Sequence, residues 1–212
     1  MRQPLPPQPR ARPRRPTTPG PSRPGTRERL ITAGVSLFKA RGLNGTGVKE
    51  ILDRADARFS SLYHYFPGGK DELAAVVIAR AGAEYQLLVE AVWDSEHDVV
   101  SGVRKVFEGA ADLLESTDYA DACPVAAVAL EVASSNEELR LATSEVFDAW
   151  IDSASSRLVD AGATAGDART LAHSLIALLE GAFVLCRAGR RTEPMRDAAG
   201  VAATLVRQAV PG

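Results

Sequence analysis

The sequence contains few of the residues that define disulfide-rich, metal-binding and membrane proteins. Cys123 and Cys186 are the only cysteines among 212 residues, and neither belongs to a Cys-x-x-Cys pair. This excludes a disulfide framework and a structural zinc site of the usual spacing. No run of about 18 apolar residues predicts a membrane span, and the N-terminus lacks the apolar segment of a secretory signal. We therefore expect a soluble, cytoplasmic protein that does not contact a membrane.

Aromatic residues and strand-forming patterns are also scarce. Aromatic residues make up 6% of the chain, whereas Ala, Leu and Val are abundant. Few alternating β-branched segments are closed by Asn-Gly or Asp-Gly, so β-hairpins are not predicted. Apolar residues instead recur at helical spacing. The sequence predicts an all-α fold without internal repeats.

The residues that enzymes and metal proteins need are missing as well. The only histidines are His64, His97 and His173, and none belongs to a Glu-x-x-His or His-Glu-x-x-His pair. A metal centre in a helical bundle therefore lacks its ligands. No Gly-x-Ser-x-Gly elbow, phosphate-binding loop or dinucleotide fingerprint occurs. These absences argue against an enzyme, the main rival class, and we expect no metal and no cofactor.

Charge is distributed unevenly along the chain. Residues 1–25 carry a net charge of +6, residues 26–73 of +2 and residues 74–212 of −10. This polarity favours contact between a polyanion and the N-terminal part, because phosphates repel the acidic remainder. An uneven surface charge without a role explains the counts equally well.

Residues 1–25 differ in composition from the rest. They hold nine of the thirteen prolines and almost no apolar residue, which predicts a disordered Arg/Pro-rich arm. Such an arm is either an inert extension or a source of salt-sensitive DNA affinity. The arginines that would supply this affinity are Arg10, Arg12, Arg14, Arg15 and Arg23.

Helical periodicity begins at Thr26. Residues 26–41 form the first predicted helix, with Thr26 as its N-cap and Gly42 as a left-handed C-cap. A turn precedes the second helix at 48–55, in which Gly47 is the expected N-cap and Glu50 reaches back to it.

A third short helix follows the turn at 56–58. Residues 59–66 complete two helical turns before Pro67, Gly68 and Gly69 end them. Two short helices joined by a tight turn predict a helix-turn-helix, although a plain helical corner has the same spacing. Six further helices are predicted, at Lys70 to about Trp93, 98–116, 124–135, 137–161, 166–188 and 195–208, which makes about nine in all.

The segment that contains the predicted helix-turn-helix resembles a known family. The runs RERLITAGVSLFKARGLNGTGVKEIL and SSLYHYFPGGKDEL, between Thr26 and Leu73, resemble the N-terminal domain of TetR-family repressors. The triplet at Pro67–Gly69 and the run CPVAAVALE at 123–131 are similar to the LmrA/YxaF branch. The resemblance implies a helix-turn-helix domain over 26–73, followed by a helical ligand-binding and dimerisation domain over 74–212. It further implies a homodimer that binds an operator in double-stranded DNA and is released by a small molecule.

The turn and the start of the recognition helix depart from the usual family pattern. Asp56 replaces an expected Gly, Phe59 a usual Lys or Arg, and Ser60 a usual Gly. Asp tolerates the left-handed conformation better than most residues, so the turn is expected to form. Phe59 removes a hydrogen-bond donor and offers an apolar contact to thymine methyl groups.

The residues expected at DNA fall into base-reading and phosphate-binding groups. Ser60 and Ser61 suit base edges, and Arg58 suits guanine or phosphate. The resemblance implies phosphate contacts for Tyr63 and His64. It also implies that Thr46 offers a hydroxyl and Gly47 a free amide at one helix start, with Lys70 at another, and helix N-termini favour anions. The full set is Thr46, Gly47, Arg58, Phe59, Ser60, Ser61, Tyr63, His64 and Lys70.

The ligand is expected to be a small apolar or aromatic inducer held in the C-terminal domain. The candidate residues are apolar or aromatic with a few polar groups, the usual composition of a ligand pocket. They are Phe107, Leu114, Tyr119, Val128, Glu131, Phe147, Trp150, His173, Glu180 and Phe183. For each residue alone, ordinary placement in the core or on the surface is the alternative.

The last two helices are expected to form a four-helix dimer interface with their copies. The candidate residues are Leu171, Leu175, Leu178, Leu179, Ala182, Phe183 and Leu185 on one helix, and Val201, Ala202, Leu205 and Val206 on the other. Two recognition helices about 34 Å apart would then read a palindromic operator. Regulation by a protein partner, or by oxidation of Cys123 at a helix start that lowers its pKa, is the alternative to a small inducer.

Overall fold

The computed structural model describes residues 24–211, and these fold into nine α-helices without strands. The all-α prediction is confirmed. In chain order the helices are α1 (Thr26–Arg41), α2 (Val48–Ala55), α3 (Phe59–Tyr65), α4 (Lys70–Trp93), α5 (Val99–Ser116), α6 (Pro124–Val132), α7 (Glu137–Asp160), α8 (Ala165–Gly189) and α9 (Glu193–Ala209). The predicted N-terminal arm lies outside the described residues except for Pro24 and Gly25.

Helix ends depart from prediction where capping side chains find other partners. Gly25 rather than Thr26 is the N-cap of α1, and no side chain caps it. Glu50 pairs with Arg41 at 2.6 Å instead of reaching back to Gly47. α6 ends three residues early, because Asn136 turns out of the helix and its side chain accepts from the Leu139 amide, capping α7.

Buried apolar residues form two cores. The C-terminal core is built by α5, α7, α8 and α9, with Trp93 from the end of α4. The N-terminal core is built by α1, α2, α3 and the first half of α4. Cys123, Val125, Val128 and Val132 from α6 and the preceding loop complete this second core, although they follow it by some 45 residues or more in the sequence. α6 is therefore packed onto the short N-terminal helices.

α4 crosses two helices at close range. A Cβ atom at Gly34 of α1 would lie 2.6 Å from Val77, and one at Gly82 of α4 would lie 2.5 Å from Val146 of α7. Both distances are far below van der Waals contact, so only glycine permits these crossings. α4 is fixed to α1 near its start and to α7 near its middle.

α8 is long and apolar enough to cross a membrane by length and composition, with a mean hydropathy of 1.5 over 18 residues. This criterion is looser than the continuous apolar run considered in the sequence analysis, because α8 also contains Arg169, His173 and Glu180. In the fold α8 packs against α7 and α9 and buries eight residues in the chain. A core helix of a globular protein passes the same test, so the apolar composition of α8 is explained by burial on one face.

The turn after α1 requires glycine. Gly42 has φ 70° and ψ −176°, which differs from the predicted left-handed helical cap but is also a conformation that glycine adopts at least cost. Its Cβ position overlaps Oε1 of Glu131, whose other carboxylate oxygen, Oε2, accepts a hydrogen bond from the Asn44 amide at 2.6 Å. A side chain at Gly42 would strain the backbone and displace this carboxylate.

We expect Gly42→Ala to lower the free energy of unfolding by about 1 to 3 kcal/mol, measured by urea denaturation at one protomer concentration. Gly109→Ala is the matched control. Gly109 lies inside α5 with no atom within 4 Å of its Cβ position, so this change should raise stability by about 0.5 to 1 kcal/mol. If Gly42→Ala were as stable as the original protein, the conclusion that the turn after α1 requires glycine would be wrong.

Candidate DNA-binding surface and ligand cavity

The turn between α2 and α3 is fixed from α1. Asp56 ends α2 in the left-handed conformation, with φ 46° and ψ 55°. The Arg29 guanidinium donates to the carbonyl oxygens of Ala55 at 2.8 Å and Asp56 at 3.1 Å. These charge-assisted bonds satisfy carbonyl groups at the helix end. α1 therefore stabilises a turn that lacks the glycine usual at this position.

α3 is anchored by buried side chains and leaves others exposed. Leu62 is fully buried in the N-terminal core, and Phe66 just beyond the helix is 1% exposed. Phe59, three residues before Leu62, is 62% exposed and Tyr63 is 47% exposed, with ring centroids 5.2 Å apart and ring planes tilted by 50°. Two tilted aromatic rings thus remain exposed beside the buried side chains of α3.

Six of the predicted DNA contacts lie on α3 or directly before it, and each is exposed or half-buried. Like those of Phe59 and Tyr63, the side chains of Ser60 and His64 are exposed. Ser61 is half-buried. Arg58 is exposed and occupies the N-cap position of α3. A helix with a short polar side chain, aromatic rings and a guanidinium at its start can enter the major groove of DNA.

The remaining predicted DNA contacts, Thr46, Gly47 and Lys70, lie outside α3. Thr46 is 1% exposed and its hydroxyl donates to the Gly42 carbonyl at 2.8 Å, so the expected hydroxyl contact is corrected. Gly47 is exposed at the start of α2, where no side chain caps the helix. The Lys70 ammonium donates to the Leu43 carbonyl at 2.7 Å, which ties it to the turn after α1.

α6 contacts this same turn. Besides the Glu131 carboxylate on the Asn44 amide, the Ala122 amide donates to the Lys39 carbonyl at 3.3 Å. Glu131 is therefore a contact between α6 and the N-terminal helices, which corrects its expected place in a ligand pocket. Movement of α6 would act directly on the turn that leads into α2.

An apolar cavity of about 70 Å³ lies between α4, α5, α7 and α8. Four aromatic side chains, from Tyr85, Trp93, Phe107 and Trp150, contribute to its wall. The other lining residues are Gln86, Val89, Glu90, Val103, Val106, Ser153, Ala154, Arg157, Leu175, Ile176 and Leu179. Five of the fifteen lining residues belong to α4, which also contributes to the N-terminal core.

The polar side chains in the cavity wall are paired with one another. The Arg157 guanidinium donates to Asp94 at 2.8 and 2.9 Å and to the Ser153 hydroxyl at 2.9 Å. Ser153 donates to Glu90 at 2.7 Å, and Gln86 donates to the same carboxylate. These hydrogen bonds from Ser153 and Gln86 lower the pKa of Glu90. This end of the cavity is electrostatically satisfied.

Only two of the ten predicted ligand contacts, Phe107 and Trp150, line this cavity. Leu114 and Phe183 belong to the C-terminal core and Val128 to the N-terminal core, each away from the cavity wall. Phe147 stands edge-on to the Trp150 ring at 5.5 Å. These four residues have packing roles.

Tyr119 and His173 also lie outside the cavity wall. The guanidinium of Arg190 lies 5.7 Å from the centroid of the Tyr119 ring. His173 is exposed on α8. Periodicity did not reveal which face of α8 is buried, because apolar and small residues occur all round this helix.

Glu180 of α8 lies beside Tyr85 of α4 and beside Cys123, which is the N-cap of α6. Burial raises the pKa of Glu180 to about 7, although the Cys123 thiol opposes this. Burial also raises the pKa of Cys123, and the nearby Glu180 charge adds to the effect. The expected lowering by the helix N-terminus is therefore outweighed, even though the Ala126 amide donates to the sulfur at 3.4 Å.

This result weakens the oxidation alternative. A buried thiol with a raised pKa carries little of the thiolate that reacts with oxidants. Burial likewise raises the pKa of the second cysteine, Cys186.

The residues expected at a dimer interface divide into buried and exposed groups, except for Leu178, which is half-buried against the C-terminal core. Val184, which was not expected there, belongs to the exposed group. Leu171, Leu175, Leu179, Ala182 and Phe183 of α8 are buried within the chain, as are Ala202 and Val206 of α9, which corrects their assignment. Large exposed apolar side chains remain on these helices: Val184 at 62%, Leu185 at 61%, Val201 at 51% and Leu205 at 37%. The outer faces of α8 and α9 therefore present an apolar surface.

The arrangement matches a family of known regulators. Residues 30–77 match the family of bacterial regulatory proteins described as tetR family. An HTH-type transcriptional regulator of Mycobacterium tuberculosis is 30% identical over 176 residues, which cover 81% of this chain and 89% of the relative. The chain belongs to the TetR family. Its residues 99–201 match the C-terminal domain of LmrA/YxaF-like transcriptional regulators.

Further comparisons agree with this membership. The HTH-type regulator YxaF of Bacillus subtilis is 28% identical over 187 residues, covering 88% of this chain and 98% of YxaF. The crystal structure of a TetR regulatory protein from Rhodobacter sphaeroides superimposes with a TM-score of 0.76 at 21% identity, covering 85% of this chain and 98% of that one. The chain is a TetR-type transcriptional regulator with a helix-turn-helix, and not an enzyme.

Proposed function

We propose that this regulator is a cytoplasmic, homodimeric repressor that leaves a palindromic operator when a small apolar or aromatic ligand fills the cavity. The observation that carries the proposal is the position of α4. One half of this helix supplies five residues to the cavity wall, and the other half is packed in the core that supports α3. Ligand and DNA would thus act on the same helix.

At the DNA, α3 is the reading helix. Ser60 and Ser61 are suited to base edges, and Phe59 to a thymine methyl group. Arg58 is suited to guanine or phosphate, while Tyr63, His64 and the amide of Gly47 are suited to phosphates. We propose that the division between DNA-binding and ligand-binding domains lies near Leu73, with 26–73 and 74–212 as the two parts.

Dimerisation would cover the exposed apolar faces of α8 and α9. Val184 and Leu185 of one protomer would pack against the same helices of its copy across a two-fold axis. Such an interface places two copies of α3 on one side of the dimer. A separation of about 34 Å would match successive major grooves.

Release would require the cavity to expand. A volume of about 70 Å³ is below the roughly 300 Å³ of a typical ligand site. A larger ligand therefore separates α4 from α7 or α8, and the displacement of α4 changes the spacing of the two reading helices. The ligand favours the released state by its higher affinity for the expanded cavity.

Arg58→Ala should weaken binding to a duplex selected from a random-sequence library by about 1 to 3 kcal/mol, because Arg58 contributes a charged contact. Fluorescence anisotropy at several salt concentrations measures the affinity and its salt slope. Loss of a phosphate contact lowers the slope of log affinity against log salt concentration by about one. Loss of a guanine contact instead relaxes the preference for one base at the contacted position. Arg140→Ala removes an exposed arginine of α7 that pairs with Glu137, and should change neither. An Arg58 variant with unaltered affinity, slope and specificity would show that this residue does not contact DNA.

Leu185→Glu should convert the dimer into a monomer at micromolar concentration, because the change buries a charge in each copy of the interface. Light scattering after size-exclusion chromatography measures the mass. Leu141→Glu places the same charge on an exposed apolar residue of α7 and should leave the mass unchanged. A monomeric original protein, or a Leu185→Glu dimer, would contradict the proposed interface.

Ala154→Leu should fill the cavity and abolish release of DNA by aromatic compounds while DNA affinity is retained. Anisotropy of the bound duplex, titrated with a panel of aromatic compounds, measures release. Ala149→Leu is the control, because Ala149 is exposed on the same helix. Release that persists in Ala154→Leu would place the ligand elsewhere. A panel without effect on the original protein would favour control by a protein partner.

A further inference from the structure

One buried oxygen atom beside the cavity has no partner. Glu180 Oε1 is enclosed by protein and makes no hydrogen bond. Among the described residues only the Ser155 hydroxyl shares this condition. Unpaired buried polar atoms are rare in native proteins, and each needs a physical explanation, of which a bound polar group is one.

The position of Glu180 relates this oxygen to the cavity. Ile176 and Leu179 of α8 line the cavity, and Glu180 follows Ile176 by one helical turn on the same side of the helix. Tyr85 of α4 lines the cavity too, and its pKa is raised by burial and by the charges of Cys123 and Glu180. Glu180 therefore lies next to the cavity wall on the side of Tyr85.

The charges around the cavity are unbalanced at this side. Glu90 and Arg157 lie at the opposite side and pair with each other through Ser153. Among residues 24–211, no lysine, arginine or histidine forms an ion pair with Glu180, and its Oε1 accepts no hydrogen bond. A ligand that brought a positive charge to Glu180 would neutralise it and satisfy Oε1 by a charge-assisted hydrogen bond. An anionic ligand would be repelled there.

We infer that the cavity binds a small aromatic amine, with the ring among the aromatic side chains and the ammonium group at Glu180. This inference rests on the proposed ligand site and specifies its ligand class. The aromatic wall supplies apolar and cation–π contacts, and the carboxylate supplies the specificity. Neutral compounds of the same shape should bind more weakly.

The test compares phenethylamine with propylbenzene, which has nearly the same shape and no ammonium group. Binding of each compound is measured at pH 8 by calorimetry, and release of DNA is measured by anisotropy. We expect phenethylamine to bind the original protein at least about tenfold more tightly, the ratio that a charged hydrogen bond supports. Glu180→Gln preserves the shape of the side chain and should remove this preference.

Glu138→Gln is the matched control, because it removes an exposed carboxylate of α7 and changes the net charge equally. It should retain the preference. A second measurement uses the original protein alone. Phenethylamine affinity should fall as pH drops from 8 to 6, since Glu180 gains its proton near pH 7. The groups that face Glu180, Tyr85 and Cys123, have raised pKa values and stay neutral over this range.

Equal affinity for the two compounds, a preference that survives in Glu180→Gln, or no phenethylamine binding at millimolar concentration would overturn the inference. Release of DNA by neutral aromatic compounds, with Glu180→Gln unchanged, would leave the proposed function intact and remove only the amine class. Binding that depends on Glu180 but never releases DNA would support the amine site and contradict ligand-controlled repression.

Discussion

The close crossing of α4 with two other helices is the constraint on which the rest of the molecule depends. Glycine at 34 lets α1 reach Val77, and glycine at 82 lets Val146 of α7 reach α4. At these distances the helices cannot slide past one another without overlap, since packed interiors have little free volume. Under the proposed function, a displacement of α4 at the cavity would therefore be carried to α1 as a movement of the helix and would not be absorbed by loose packing.

α6 provides a second connection between the same regions. It is only nine residues long, or about 14 Å. Cys123 at its start lies beside Glu180 of α8, and Glu131 near its end holds the Asn44 amide in the turn before α2. The burial of Val125 and Val128 in the N-terminal core keeps the helix rigid against α1. The start of α6 thus contacts a residue next to the proposed inducer site. Its end contacts the turn that leads to the proposed DNA-binding helices.

The fold could be predicted closely because its signals are local. Glycine, proline and small polar residues lie between the helices, and most helix boundaries fall within two residues of the sequence prediction. Where local signals failed, a tertiary partner had replaced them: Glu50 pairs with Arg41 and not with its own helix start. Asp56 occupies a position that favours glycine because Arg29 binds the carbonyl groups around it.

The cavity was predicted poorly for a reason of geometry. Helical periodicity identifies the buried face of a helix but not which buried residues border an empty space, so Leu114 and Phe183 were as plausible as Phe107. The wall also contains Glu90, Ser153 and Arg157, which single-helix patterns assign to the surface. Their partial burial is tolerated because they hydrogen-bond to one another across α4 and α7, and no pattern within one helix encodes that pairing.

The small size of the cavity also determines whether the proposed ligand would favour DNA binding or DNA release. A cavity of about 70 Å³ is smaller than a typical ligand site, so a drug-sized compound would fit the present arrangement poorly and bind this state weakly. The same compound gains aromatic and apolar contacts once α4 has moved. Differential affinity, which any ligand needs in order to shift an equilibrium, thus follows from ligand volume. Under the proposed function, the arrangement described here, with its small cavity, is the one that a bound ligand would depopulate.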